Sequence, residues 1–211
     1  MESDKKMNAP LRFVNSLDTN KHILLFYSDP DYAKRIEFQF IGNGLAKGEN
    51  CVYATEEDPA FIKEKMKEHG IKVRDFLDTG LLHICQMSDP FSHPEGLLAG
   101  AKSNLDMILK ESKPPYRMVA TLIPDTGTAE ATGVHIKVEK EFHDSFASFN
   151  GSMMCPYNIK KLEQNKSNDW IRELLQCHHS AIYAPPSGEG GVFNLDYELK
   201  EFPTNHNESL R

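Results

Sequence analysis

The feature that most restricts the fold is a repeated alternation along the chain. Short apolar runs that lack the every-second-residue polar pattern alternate with longer segments of helical spacing. The runs are ILLFY (23–27), CVYAT (51–55), LLHICQM (81–87), YRMVATLIPD (116–125), GSMMCPYN (151–158) and HSAIYAP (179–185). Strands that read as continuous apolar runs are buried on both faces. Strands joined through helices build a parallel sheet with helices on either side. The pattern predicts an α/β three-layer sandwich around a mostly parallel central sheet. The expected domain spans 18–185, after an N-terminal extension at 1–17. The tail, 186–211, rich in Pro and Gly and then acidic, is expected to be partly disordered with one more strand at 192–197.

Helix signals fit between the strands. Ala33, Ile36, Phe40, Gly44 and Leu45 recur at three- and four-residue steps over 31–47. Asp29 then Pro30 is a cap with proline in the first turn, and Gly48 is a natural stop. EEDPAFIKEKMKEHG reads as a short charged helix, and IKVRDFLDTG as a helical or loop insert. A helix over 94–112 is stopped by Pro114 and Pro115. A longer one, 128–150, shows Val134, Val138, Phe142, Phe146 and Phe149 on its apolar face. IKKLEQ and SNDWIRELLQC are short helices.

Composition narrows the function classes. The chain has 211 residues, 39% of them hydrophobic, enough for a substantial core. Its net charge of −7 argues against a duplex-DNA or anionic-membrane surface. No run approaches the ~18 apolar residues of a membrane span, and MESDKKMNAPLRFV lacks the apolar centre of a signal peptide, so a cytoplasmic location is expected. Cys51, Cys85, Cys155 and Cys177 show no CxxC spacing and read as buried thiols.

In parallel sheets, ligands sit outside the carboxyl ends of the strands. Ser28-Asp29, Thr55-Glu56, Pro124-Asp125-Thr126 and Cys155-Pro156-Tyr157 fall on that edge. The first strand-to-helix turn, SDPDYAKR, has neither the glycines nor the lysine of a phosphate loop in the required place, and its Asp29 and Asp31 would repel phosphate. Helix capping is the better reading there, and also for IPDTGTAE, where Asp125, Thr126, Thr128 and Glu130 follow the fourth strand. His135, Glu139 and His143 form one helical stripe. The two histidines stand about 12 Å apart along the axis, too far to share one ion directly, so the stripe is read as a solvated charged face. In Cys177-His178-His179 the strand alternation works against a shared metal. No Ser-His-Asp or Cys-His arrangement has recognisable context. Trp170, Tyr27, Tyr53, Tyr157 and Tyr183 read as packing residues; with Met154 and Cys155 they also suit an apolar pocket.

Several stretches together resemble a known family. HILLFYSDPDYAKRIEFQFIGNGLAKGENCVYATEE is similar to the opening of the MEDS domain, a methanogen/methylotroph, DcmR-like sensory domain. GIKVRDFLDTGLLHI, Glu139, CPYN and HSAIYAP match later landmarks, so the resemblance covers about 18–185. Two departures concern the pocket: Asn158 stands where the family's C-x-Y-D has aspartate, and IPDTGT differs from the usual Gly-Glu-Met-like segment. The resemblance implies a RecA/KaiC-like sandwich without a working phosphate loop. It further implies a sensory or signal-transducing role toward small organic or hydrocarbon-derived ligands.

The expected function is therefore a non-catalytic sensory domain with no cofactor and no metal. Candidate ligand-binding residues are Tyr27, Ser28, Asp29, Thr55, Asp125, Thr126, Glu139, Cys155 and Tyr157. The expected partners are a small organic ligand, a signalling protein (a kinase or transcription regulator) and further copies of the chain, without direct nucleic-acid or membrane contact. The competing reading is a degenerate nucleotide-binding or metal-dependent ATPase-like enzyme using Asp125, Glu130 or Glu139. A third is a purely structural oligomer.

Overall fold

A computed structural model of the chain describes residues 8–18, 20–110, 112–122, 128–163, 169–186 and 188–195. Among these residues seven strands form one sheet: β1 (His22–Tyr27), β2 (Asn50–Thr55), β3 (Leu82–Gln86), β4 (Tyr116–Val119), β5 (Gly151–Asn158), β6 (Ser180–Ala184) and β7 (Gly191–Asn194). Their order is β3-β2-β4-β5-β1-β6-β7. All pairings are parallel except β6 with β7. The α/β architecture with a mostly parallel sheet is as expected. The fourth strand is shorter than its apolar run, although Ala120 N–H still donates to Met154 O at 3.1 Å.

Among the described residues eight α-helices flank the sheet: α1 (Ala9–Asn15), α2 (Pro30–Ala46), α3 (Pro59–Glu68), α4 (Val73–Asp78), α5 (Leu97–Lys110), α6 (Ala129–Ser145), α7 (Ile159–Glu163) and α8 (Asp169–Gln176). Because strand side chains alternate between faces, each strand serves two cores. Ile23, Leu25, Tyr53 and Met154 join the core under α1, α2, α3 and α4, while Leu24, Phe26, Val52, Met153 and Tyr157 join the one under α5, α6 and α8. Burying a leucine- or phenylalanine-sized side chain contributes about 1.5–3 kcal/mol, so these two layers dominate stability.

One close approach fixes α2 on the sheet. At Gly44 an added Cβ would lie 2.7 Å from Arg117 Cγ and 2.8 Å from Cys51 Sγ. The absent side chain lets Arg117 lie beneath the helix and donate to both carboxylate oxygens of Glu49, at 2.6 and 2.8 Å. Gly48, at φ +74°, then ends the helix in the left-handed region open to glycine.

Segments at the two ends of the described chain meet. Leu11, Val14 and Leu17 are buried in the α2-side core. Asn8 Nδ2 donates to Gly188 O, and Tyr32 Oη donates to Glu189 O at 3.2 Å. Among the described residues no helix is long and apolar enough to cross a membrane. The tail beyond residue 195 lies outside the described residues.

Candidate functional site

The β1–α2 turn is a cap. Asp29 Oδ1 accepts from the N–H groups of Asp31 at 3.0 Å and Tyr32 at 3.2 Å. These are the amides a phosphate would need, and a carboxylate already holds them.

Above this turn the carboxyl ends of β1, β2, β4 and β5 enclose a cavity of about 640 Å³. Phe38, Phe61, Ile62, Met87 and Val119 supply apolar wall. A charged network forms one side: Tyr53 Oη donates to Glu37 Oε2, Lys34 Nζ donates to Tyr53 Oη at 2.6 Å, and Lys34 pairs with Glu57 at 2.8 Å. Burial opposes the charge on Lys34, but the Glu37 and Glu57 carboxylates hold its pKa above the usual lysine range. Burial, reinforced by Glu37, pushes the Tyr53 phenol well up, so it stays a hydrogen-bond donor.

A second polar group lies on the other face, beneath α6. On β1, His22 shares the parity of Leu24 and Phe26 and so points toward α6. On β5, Cys155 and Tyr157 do the same. From α6, His135 and Glu139, four residues apart, face the sheet. His178, in the turn between α8 and β6, completes the group. Tyr157 Oη donates to Glu139 Oε1 at 2.6 Å and lies 2.6 Å from His135 Nε2. Glu139 Oε2 lies 3.2 Å from His22 Nε2, 3.7 Å from His178 Nε2 and 3.9 Å from Cys155 Sγ. His22 Nε2 and Cys155 Sγ are 3.4 Å apart.

The electrostatics follow from burial. Desolvation alone would raise the Glu139 pKa, yet His135 and His22 hold it well below the usual carboxylate range. Desolvation, with the neighbouring His22, pushes His178 down to about 3, which keeps that imidazole neutral. Burial beside the Glu139 carboxylate drives the Cys155 thiol and Tyr157 phenol well up.

The candidates thus divide. Tyr27, Thr55 and Tyr157 line the cavity, whereas Ser28 and Asp29 do not. Glu139 and Cys155 sit in the buried group with Tyr157, the one candidate common to both places. Asp125 and Thr126 lie outside the described residues. The solvated reading of the α6 stripe is overturned: His135 is 2% and Glu139 4% exposed, because the stripe meets polar side chains of the sheet. The strand argument for Cys177-His178-His179 also fails, since β6 begins only at Ser180 and His178 is in a turn. Sequence reading passed over His22, Lys34 and Glu37, and set His178 aside on the strand argument. The available signal was parity: His22 stands two positions from Leu24, as Cys155 does from Tyr157.

Residues 21–179 match the family described as MEDS, the MEthanogen/methylotroph, DcmR Sensory domain. The chain belongs to the MEDS family. This sensory domain also resembles a solved structure of a Pyrococcus horikoshii OT3 protein. That match has a TM-score of 0.55 and 12% identity, and covers 88% of this chain and 91% of the other. The likeness concerns the fold alone. No curated protein matches the chain.

Proposed function

We propose that this MEDS domain is a non-catalytic sensor that receives a small organic molecule in the carboxyl-edge cavity and passes its occupancy to a signalling protein, a kinase or transcription regulator. The observation that carries the reading is the pairing of that 640 Å³ cavity with a first turn whose amides are already capped by Asp29. The walls suit a molecule with an apolar body and one hydrogen-bonding group, placed against Lys34 and Tyr53. A polyphosphate is disfavoured, because lining carboxylates (Asp31, Glu37, Glu56, Glu57, Glu68) outnumber lining lysines. A RecA/KaiC-like ancestry, a cytoplasmic location and self-assembly belong to the same reading.

Calorimetric titration of the pure protein with short-chain organic compounds, and separately with ATP and Mg²⁺, tests it. Saturable heat with an organic compound, abolished by Thr121→Trp at the cavity wall, and none with the nucleotide are expected. Hydrolysis of ATP by the pure protein, or binding of organic compounds unchanged by the cavity substitution, overturns the proposal.

A further inference from the structure

Independently of the cavity's ligand, the buried group under α6 has the composition and spacing of a metal centre. We propose that His22, Cys155, His178 and Glu139 bind one divalent transition-metal ion of the Zn²⁺ class. Their four ligand atoms, two imidazole nitrogens, one sulfur and one carboxylate oxygen, all lie within 4.8 Å of one another. Tetrahedral zinc has bonds of about 2.0–2.3 Å, which separates neighbouring ligand atoms by about 3.3–3.7 Å. Four of the separations given above run from 3.2 to 3.9 Å.

Without an ion the hydrogen bonding is incomplete in a telling place. His178 Nδ1 donates to Leu174 O at 2.7 Å, which leaves the lone pair on Nε2. That Nε2 is fully buried, has no hydrogen-bond partner and faces Glu139 Oε2 at 3.7 Å. Two acceptors aimed at each other inside a protein are costly, and a cation between them removes the cost. The Leu174 carbonyl is the kind of outer partner that fixes a ligating imidazole. Tyr157 does the same for Glu139, holding Oε1 so that Oε2 points at the three other ligands.

Charge and access agree. A thiolate and a carboxylate give −2 against a divalent ion, and the ion itself would displace the thiol proton to solvent. The sulfur and imidazoles select a borderline ion over Mg²⁺ or Ca²⁺. Tyr157 and His135 also line the cavity, so one layer of side chains separates the group from an opening.

The test uses the full chain, reduced and chelator-treated, titrated with Co²⁺ and then Zn²⁺. We expect one ion per chain by native mass spectrometry and a thiolate-to-cobalt charge-transfer band that Zn²⁺ abolishes. Cys155→Ser removes the band, and His178→Ala weakens binding strongly. Tyr157→Phe, which touches no ligand atom of the ion, weakens it about 10–100-fold. Cys177→Ser leaves both stoichiometry and band unchanged. No stoichiometric Co²⁺ uptake by the wild-type chain, or a band that survives Cys155→Ser, overturns the proposal. The wild-type spectrum decides even where a variant fails to fold.

Discussion

Two tyrosine–glutamate pairs stand on opposite faces of the sheet, and the difference lies in what surrounds them. Tyr53 and Glu37, under α2, are neutralised by Lys34, whose side chain is 29% exposed and also pairs with the exposed Glu57. Tyr157 and Glu139, under α6, are surrounded by His135, His22, His178 and Cys155, all buried. The first pair borrows a permanent charge that water can replace. The second is closed in by imidazoles and a thiol, groups that can ligate. The same two-residue motif is a cavity wall in one place and the core of a reactive-looking group in the other.

This contrast can be broken most forcefully at the carboxylates. Glu139→Gln removes the buried carboxylate on which Tyr157, His135 and His22 converge and is expected to cost about 3–5 kcal/mol in urea unfolding. Glu37→Gln, where Lys34 keeps Glu57 and water, is expected to cost about 1 kcal/mol. Equal losses would erase the distinction. The phenols give a smaller version of the same test. Tyr157→Phe strips partners from both Glu139 and His135 and is expected to cost about 1–3 kcal/mol, with Tyr53→Phe at the low end of that range.

Acid and alkali should separate the two faces in chelator-treated protein. His178 titrates at about 3 when folded against an ordinary value of 6.5. The unfolded chain therefore takes up a proton that the native one refuses, and stability falls as the pH drops from about 6.5 toward 3. Glu139, depressed when folded, acts in the same direction, losing its contribution below the usual carboxylate range. Lys34 is raised when folded, so its contribution is complete below about 10.5 and is lost above that. Urea midpoints measured across pH should show an acid limb reduced in His178→Gln and an alkaline limb reduced in Lys34→Met. The smallest effect is one of rate. A thiol reagent should modify half-buried Cys85 before Cys155, which is fully buried and held as a thiol.

How much of this the sequence carried depended on which periodicities were combined. Runs such as ILLFY and MMC are apolar at every position, so their burial on both faces and the parallel sheet needed no tertiary information. Asp29 was legible as a cap from its proline alone. Glu139, Cys155 and Tyr157 were named one by one, but their meeting depended on β1 lying beside β5, a pairing across 131 residues between His22 and Met153 that no local pattern states. His135 and Glu139 misled because a polar stripe beside a phenylalanine face is normally solvated. Here the sheet offers polar partners at the matching positions. His178 misled because the last strand begins only at Ser180, one residue after the start of its expected run, which leaves His178 off the strand.

The clasp formed by α1 and β7 means that the folding unit is larger than the stretch the family shares. Residues 21–179 contain the cavity and all four proposed ligands, yet not the three side chains of 11–17 that cover α2, nor β6 and β7, the strands that cover the outer rim of β1. A protein trimmed to those limits would expose an apolar trough and an unpaired strand margin, both invitations to stick to its neighbours. Work on this sensor in isolation should begin no later than Asn8 and run at least through Leu195.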